Sequence, residues 1–109
     1  MSSALPATEA EKDSRRLPQP ESLYNVILLD DDEHSYDYVI EMLGKIFGHA
    51  LEVAFQMAVE VDATGRVIVD TTHRERAELK RDQIRSFGAD PLLAGSSGSM
   101  LATVEPVCG

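Results

Sequence analysis

The chain has 109 residues, 43% hydrophobic and 27% charged, which is typical of one packed domain and too short for two. Nineteen Asp and Glu against ten Lys and Arg give a net charge of −9, which disfavours nucleic acid and anionic membranes as partners. A single cysteine, Cys108, excludes an internal disulfide, and no apolar run approaches the roughly 18 residues of a membrane span. We therefore expect a cytoplasmic protein without a membrane segment.

The first 23 residues differ in composition from the rest. They carry Pro6, Pro18 and Pro20 among Ser, Glu, Lys and Arg, without apolar periodicity that could drive burial. This pattern predicts a flexible tail over residues 1–23 and a folded domain over residues 24–107.

The domain begins with a short β-favouring run, Tyr24–Leu29, which predicts a buried strand. Four acidic residues end it, and Ser35 is placed to cap a helix that Gly48 terminates. The apolar positions of this helix recur at helical spacing: Tyr36, Val39, Ile40, Leu43 and Phe47. A second helix with the same period follows from Leu51.

Turn-forming residues at 62–65 predict that the second helix gives way to a turn before a strand at Arg66–Thr72. Thr72 and Glu75 have capping-box spacing, which predicts a third helix extending to about Phe87. Residues 88–99 are loop-like, and residues 100–105 alternate as a closing strand. The order βααβαβ predicts an α+β two-layer sandwich with the helices on one face of a small sheet.

The run Asp30, Asp31, Asp32 and Glu33 after a buried strand is the most unusual local feature. It is either a solvated turn near a helix start or a site that binds a cation. A phosphoacceptor receiver domain begins in this way, but the chain is too short for its five βα units. A calcium loop using Asp30, Asp32, His34 and Glu41 has Ser35 where glycine is needed. Carboxylates could also bind the ammonium of a free amino terminus.

The segment Tyr24–Leu29 with the three following aspartates, then Tyr38, Val39, Ile40 and Leu43, resembles the ClpS family. The resemblance covers residues 24–87 and 100–105. Gly65 matches it, as do Glu75 with Lys80 on the third helix and Leu101, Thr103 and Glu105 in the last strand. ClpS proteins are adaptors that deliver N-degron substrates to an AAA+ Clp unfoldase. The resemblance implies their fold, three helices and a three-stranded antiparallel sheet.

The resemblance also implies which residues bind. The α-amino group of the substrate would bind to Asp30, Asp31 and Asp62. The first substrate side chain would enter a pocket formed by His34, Tyr36, Val39, Ala58, Val61 and Met100. Glu75 and Lys80 would dock on the amino-terminal domain of the unfoldase.

Four of these positions depart from the family pattern. Asp30 and Asp62 stand where the family usually has Asn and His, and Tyr36 and Ala58 where it often has Met. Core packing would equally explain Tyr36 and Met100. The pattern favours a solvated helix-start residue over a ligand at His34, and a solvated helix face explains Glu75 and Lys80 at least as well as a contact does.

Three hypotheses follow. The first is a ClpS-like adaptor that binds the free amino terminus of a substrate and docks on the unfoldase. The second is a divergent paralogue that keeps the fold and the docking but has altered or lost N-degron specificity. The third, an enzyme or metal protein, lacks a nucleophile set, a cofactor loop and ligand spacing in this sequence. We therefore expect neither cofactor nor metal.

Overall fold

In the computed structural model, which describes residues 22–93, 96 and 98–107, a three-stranded sheet carries three helices. The strands are β1 (Tyr24–Leu29), β2 (Arg66–Thr72) and β3 (Ala102–Pro106). Their order is β2-β1-β3, and both neighbours run antiparallel to β1. The predicted antiparallel sheet is confirmed, and its central strand is the first in sequence.

Helices α1 (Tyr36–Phe47), α2 (Leu51–Thr64) and α3 (Arg74–Arg85) complete the predicted βααβαβ order. The Ser35 side chain caps α1 by accepting a hydrogen bond from the Tyr38 amide, as the sequence predicts. Gly48 ends α1 in the left-handed region at φ 75°, where a residue without Cβ is favoured. None of the helices described is long and apolar enough to cross a membrane.

The hydrophobic core lies on the helical face of the sheet. Val26 and Leu28 of β1 are fully buried there, together with Leu43 of α1, Ala54 of α2 and Ile84 of α3. Small residues on α2 let the helix approach the sheet closely, while larger side chains on α1 and α3 fill the remaining space. The two-layer α+β architecture is therefore confirmed.

On the sheet face opposite the helices, the central residue Ile27 is also fully buried. Arg66 lies opposite Leu29, and Glu105 lies opposite Asn25. The ion pair between Arg66 Nη2 and Glu105 Oε1, at 3.0 Å, therefore joins the two edge strands across β1 at the level of Ile27. Both charged side chains stay half exposed.

Three local predictions were wrong. Residues 62–64 continue α2 instead of forming a turn, and only Gly65 leaves it, at φ 92°. The capping box fails because Thr72 belongs to β2. His73 occupies the cap position of α3, and its side chain makes no capping hydrogen bond to the helix. The last strand begins at Ala102, so Met100 precedes it and packs into the core.

Most of the predicted tail, residues 1–21, lies outside the described residues. The chain is described from Ser22, and the Leu23 carbonyl accepts a hydrogen bond from the Val107 amide at 2.9 Å. Residues 22 and 23 therefore lie beside the end of β3.

Candidate functional site

The acidic turn, residues 30–33, follows the end of β1 and lies next to the C-terminal end of α2. The Asp30 amide donates to the Gly65 carbonyl at 3.0 Å, which places the turn next to the last residues of α2. Burial raises the pKa of Asp30, and the negative charges of Asp62, Asp31 and Asp32 raise it further, outweighing a backbone hydrogen bond that lowers it. The fold thus brings the carboxylates of Asp30, Asp31 and Asp62 to one end of the sheet.

Tyr36 connects the first turn of α1 to this acidic group. Its hydroxyl donates to Asp62 Oδ2 at 2.8 Å, and this hydrogen bond raises the pKa of the phenol. Its ring meets Phe55 edge-on with 6.0 Å between ring centroids. Phe55 and Asp62 lie one turn on either side of Ala58 on the same face of α2, so Tyr36 spans the surface above Ala58.

Four of the residues expected to form a side-chain pocket are buried in the hydrophobic core. Val39, Ala58, Val61 and Met100 belong to one core cluster, and each is at most 4% exposed. Tyr36 is 38% exposed. These four side chains are therefore covered, whereas Tyr36 lies on the outside and connects α1 to Asp62 and Phe55 of α2.

His34 is buried, so the prediction of a solvated helix-start residue was wrong. Its side chain is 2% exposed, and its ring lies 4.5 Å from the Tyr38 ring, centroid to centroid. Nδ1 is 2.7 Å from Asp31 Oδ1, and Nε2 is 2.7 Å from the carbonyl oxygen of Gly98. His34 thus joins the acidic turn to the segment that leads into Met100.

Sequence reasoning missed Asp90, which is 2% exposed. Its Oδ2 accepts from the Ser35 amide at 2.6 Å and its Oδ1 from the Leu92 amide at 2.9 Å. Burial alone would raise the pKa of Asp90, but these hydrogen bonds and the nearby His34 lower it. No local pattern could have indicated this contact, because it joins residues 55 positions apart.

Together, these contacts fix the segment between α3 and β3 against the start of α1. Asp90 binds the Ser35 amide, His34 binds Gly98, and the Tyr38 hydroxyl donates to the Gly88 carbonyl. Residues 94, 95 and 97 of the predicted loop lie outside the described residues. The described residues of this loop thus hold the start of α1 and the approach to Met100.

The two predicted docking residues differ in their surroundings on α3. Glu75 is exposed in the first turn. Lys80 is partly buried; its Nζ donates to the Ile46 carbonyl at 2.7 Å and lies 5.7 Å from the centre of the Phe47 ring. Lys80 therefore stabilises the end of α1 and is not simply part of a solvated face.

The acidic turn does not form a metal site among the described residues. No group of three or more His, Cys, Asp or Glu there is arranged to hold a metal ion. Two residues of the calcium-loop alternative have other partners, since His34 binds Asp31 and Glu41 pairs with Lys45 at 3.0 Å. The antiparallel sheet likewise differs from the parallel sheet that a receiver domain requires.

Comparison with known proteins agrees with this architecture. The family model described as "ATP-dependent Clp protease adaptor protein ClpS" matches residues 19–93. The chain is 30% identical over 104 residues to an ATP-dependent Clp protease adapter protein ClpS of Vibrio atlanticus, covering 95% of this chain and 93% of that protein. It is 36% identical over 87 residues to the protein of the same name from Pectobacterium carotovorum, covering 77% of this chain and 81% of that one.

A solved structure has the same fold. This neighbour, described as "The structure of Agrobacterium tumefaciens ClpS2 bound to L-phenylalaninamide", superposes with a TM-score of 0.70 at 25% identity. The alignment covers 81% of this chain and all of that one. Since the matching sequences are named as adaptors, the prediction of a binding protein and not an enzyme is confirmed. The chain belongs to the ClpS family of Clp protease adaptors.

Proposed function

We propose that the protein binds the free amino-terminal residue of N-degron substrates and delivers them to a Clp AAA+ unfoldase. The observation that carries the proposal is the convergence of Asp30, Asp31 and Asp62 at one end of the sheet, with Asp62 one helical turn after the buried Ala58 on α2. The protein performs no covalent step; it holds one end of a polypeptide while another surface contacts the unfoldase.

The chemistry of an amino terminus matches this arrangement. An α-amino group, with a pKa of about 7.7–8.0, is mostly an ammonium at neutral pH and donates charge-assisted hydrogen bonds to carboxylates. The adjoining side chain would then pack against Val39, Ala58, Val61 and Met100, which requires Tyr36 to move from its contacts with Asp62 and Phe55. The ligand of the structural neighbour supports this division, because L-phenylalaninamide combines a free α-amine with an apolar side chain.

The docking part of the proposal rests on α3. Glu75 is exposed there, whereas Lys80 already binds the Ile46 carbonyl and Phe47. We therefore assign direct contact with the amino-terminal domain of the unfoldase mainly to Glu75, with Lys80 fixing α3 against α1.

The first experiment measures fluorescence anisotropy of labelled peptides that differ only in their first residue, each with a free or an acetylated amino terminus. We expect a subset to bind only when the amine is free, because acetylation removes the charge that the carboxylates recognise. Equal binding of both forms would contradict amino-terminus recognition. No binding at any first residue, with retained unfoldase binding, would instead support the divergent-paralogue hypothesis.

The variant Tyr36→Phe tests the contact that covers the site. Removing the hydroxyl frees Asp62 Oδ2 to accept from the substrate ammonium, so we expect affinity for free-amine peptides to rise about 2- to 10-fold, the range of a single hydrogen bond. Tyr24→Phe, which removes a hydroxyl at the opposite end of β1, is the control and should leave affinity unchanged. Weaker binding by Tyr36→Phe would show that the phenol contacts the peptide instead.

Asp30 should have opposite effects on stability and binding. Its pKa is raised on folding from the ordinary value of 3.8. Between the unfolded and folded pKa values, the native state therefore binds more protons than the unfolded state, and stability falls as pH rises through the folded pKa. At pH 7, Asp30→Asn should therefore raise the free energy of unfolding, measured in urea, while weakening binding of free-amine peptides.

The stability gain should disappear as pH falls below 3.8, where Asp30 becomes protonated in both states. Asp37→Asn, which removes an acidic side chain from the first turn of α1, is the control variant. A gain in Asp30→Asn that persists unchanged at low pH would mean that charge repulsion is not its cause.

Glu75→Lys tests docking separately from peptide binding. Reversing this exposed charge should weaken binding to the isolated amino-terminal domain of a Clp unfoldase at least tenfold, measured by calorimetry, without changing peptide affinity. Asp82→Lys makes the same charge change two turns further along α3 and should have little effect. Equal losses in both variants would indicate a general charge effect instead of a docking contact.

A further inference from the structure

The ring of His34 lies between two hydrogen-bond acceptors. Nδ1 is 2.7 Å from Asp31 Oδ1 and 3.0 Å from Oδ2, while Nε2 is 2.7 Å from the Gly98 carbonyl oxygen. A carbonyl oxygen can only accept, so Nε2 must carry a proton. The proton between Nδ1 and Asp31 then belongs either to an imidazolium facing a carboxylate or to a carboxylic acid facing a neutral ring.

The groups around the ring include a second carboxylate. The buried carboxylate of Asp90 faces it from the segment after α3, and the negative charge of that carboxylate interacts with His34. Tyr38 faces it from α1, with its hydroxyl donating to Gly88, and the Ser96 hydroxyl oxygen lies 3.5 Å from Nε2. Within the described part of the chain, no ion pair with Lys or Arg reaches Asp31 or Asp90.

His34 also connects the two halves of the proposed site. On one side it holds Asp31, whose Oδ1 additionally accepts from the Glu33 amide at 2.9 Å. On the other side it holds Gly98, two residues before Met100 in the apolar set. A change at the ring therefore affects both Asp31, which is proposed to bind the amino group, and the segment carrying Met100, which is proposed to contact the first side chain.

We infer that His34 is a positioning residue: as a buried imidazolium, it orients Asp31 toward the substrate amine and ties that carboxylate to the segment carrying Met100. The inference rests on the proposed function for the role of Asp31 in binding. His34 therefore acts without contacting the peptide side chain, because its ring is almost completely buried and both ring nitrogens already have hydrogen-bond partners.

The first test determines the protonation of the ring without any peptide. The full chain labelled with ¹⁵N-histidine is studied by NMR at pH 7.5, where an exposed histidine is mostly neutral, and the His34 signals are identified by their loss in His34→Asn. We expect both ring nitrogens to show the protonated, imidazolium pattern. A neutral ring with an unprotonated Nδ1 would overturn the inference.

The second test measures how His34 affects binding of a free-amine peptide. His34→Asn and His34→Gln each keep one neutral donor, near the Nδ1 and Nε2 positions respectively, and should lose about tenfold or more in affinity because the charged hydrogen bond to Asp31 is gone. His49→Gln is the matched control, because His49 also bonds a backbone carbonyl, that of Val69 at 2.7 Å, and should leave affinity unchanged.

The pH dependence separates positioning from simple structural support. The affinity ratio between the wild type and His34→Asn should change with pH, because only the wild type has an ionisable ring against Asp31, while titration of the peptide amine affects both proteins equally. A constant ratio would assign His34 a structural role only and overturn the inference. If the wild type binds no peptide at any pH, the proposed function fails; if it binds with a neutral His34, only the inference fails.

Discussion

The central strand β1 is the constraint on which the rest of the molecule depends. It is paired on both sides and covered on both faces, so Val26, Ile27 and Leu28 are fully buried. Its carboxyl end is fixed by the hydrogen bonds of the Leu29 amide to Leu101 and of the Asp30 amide to Gly65. Leu101 directly precedes β3 and Gly65 directly follows α2, so the acidic turn begins beside the start of β3 and the end of α2.

Such a concentration of carboxylates costs free energy unless they receive partners, and the fold provides a specific partner for three of them. Tyr36 donates a hydroxyl to Asp62, His34 lies against Asp31, and backbone amides hold Asp90. The pKa of Asp30 is raised because burial and three negative neighbours outweigh its one backbone hydrogen bond. An arriving cation would relieve this last carboxylate, which is the physical reason that the acidic turn suits an ammonium ligand.

The predictions that were correct depended on local chemistry, and those that failed depended on distant contacts. Ser35 and Gly48 bound α1 as expected because a cap and a left-handed residue act within one turn. Residues 62–64 have turn-forming side chains, yet they remain helical because Val61 is anchored in the core and Asp62 accepts a hydrogen bond from Tyr36 on α1. Thr72 could not cap α3 because the ladder with Tyr24 already holds it in β2.

The sequence by itself determined the order of elements, the acidic turn after a buried strand and the resemblance to the family, because each is carried by residue type and spacing along the chain. Only the tertiary structure decided how the site is arranged: Tyr36 across the apolar set, His34 between Asp31 and Gly98, and Lys80 on the end of α1. These contacts join residues 26, 64 and 34 positions apart, so their geometry follows from how helices pack on the sheet, and no local pattern of residues encodes that packing.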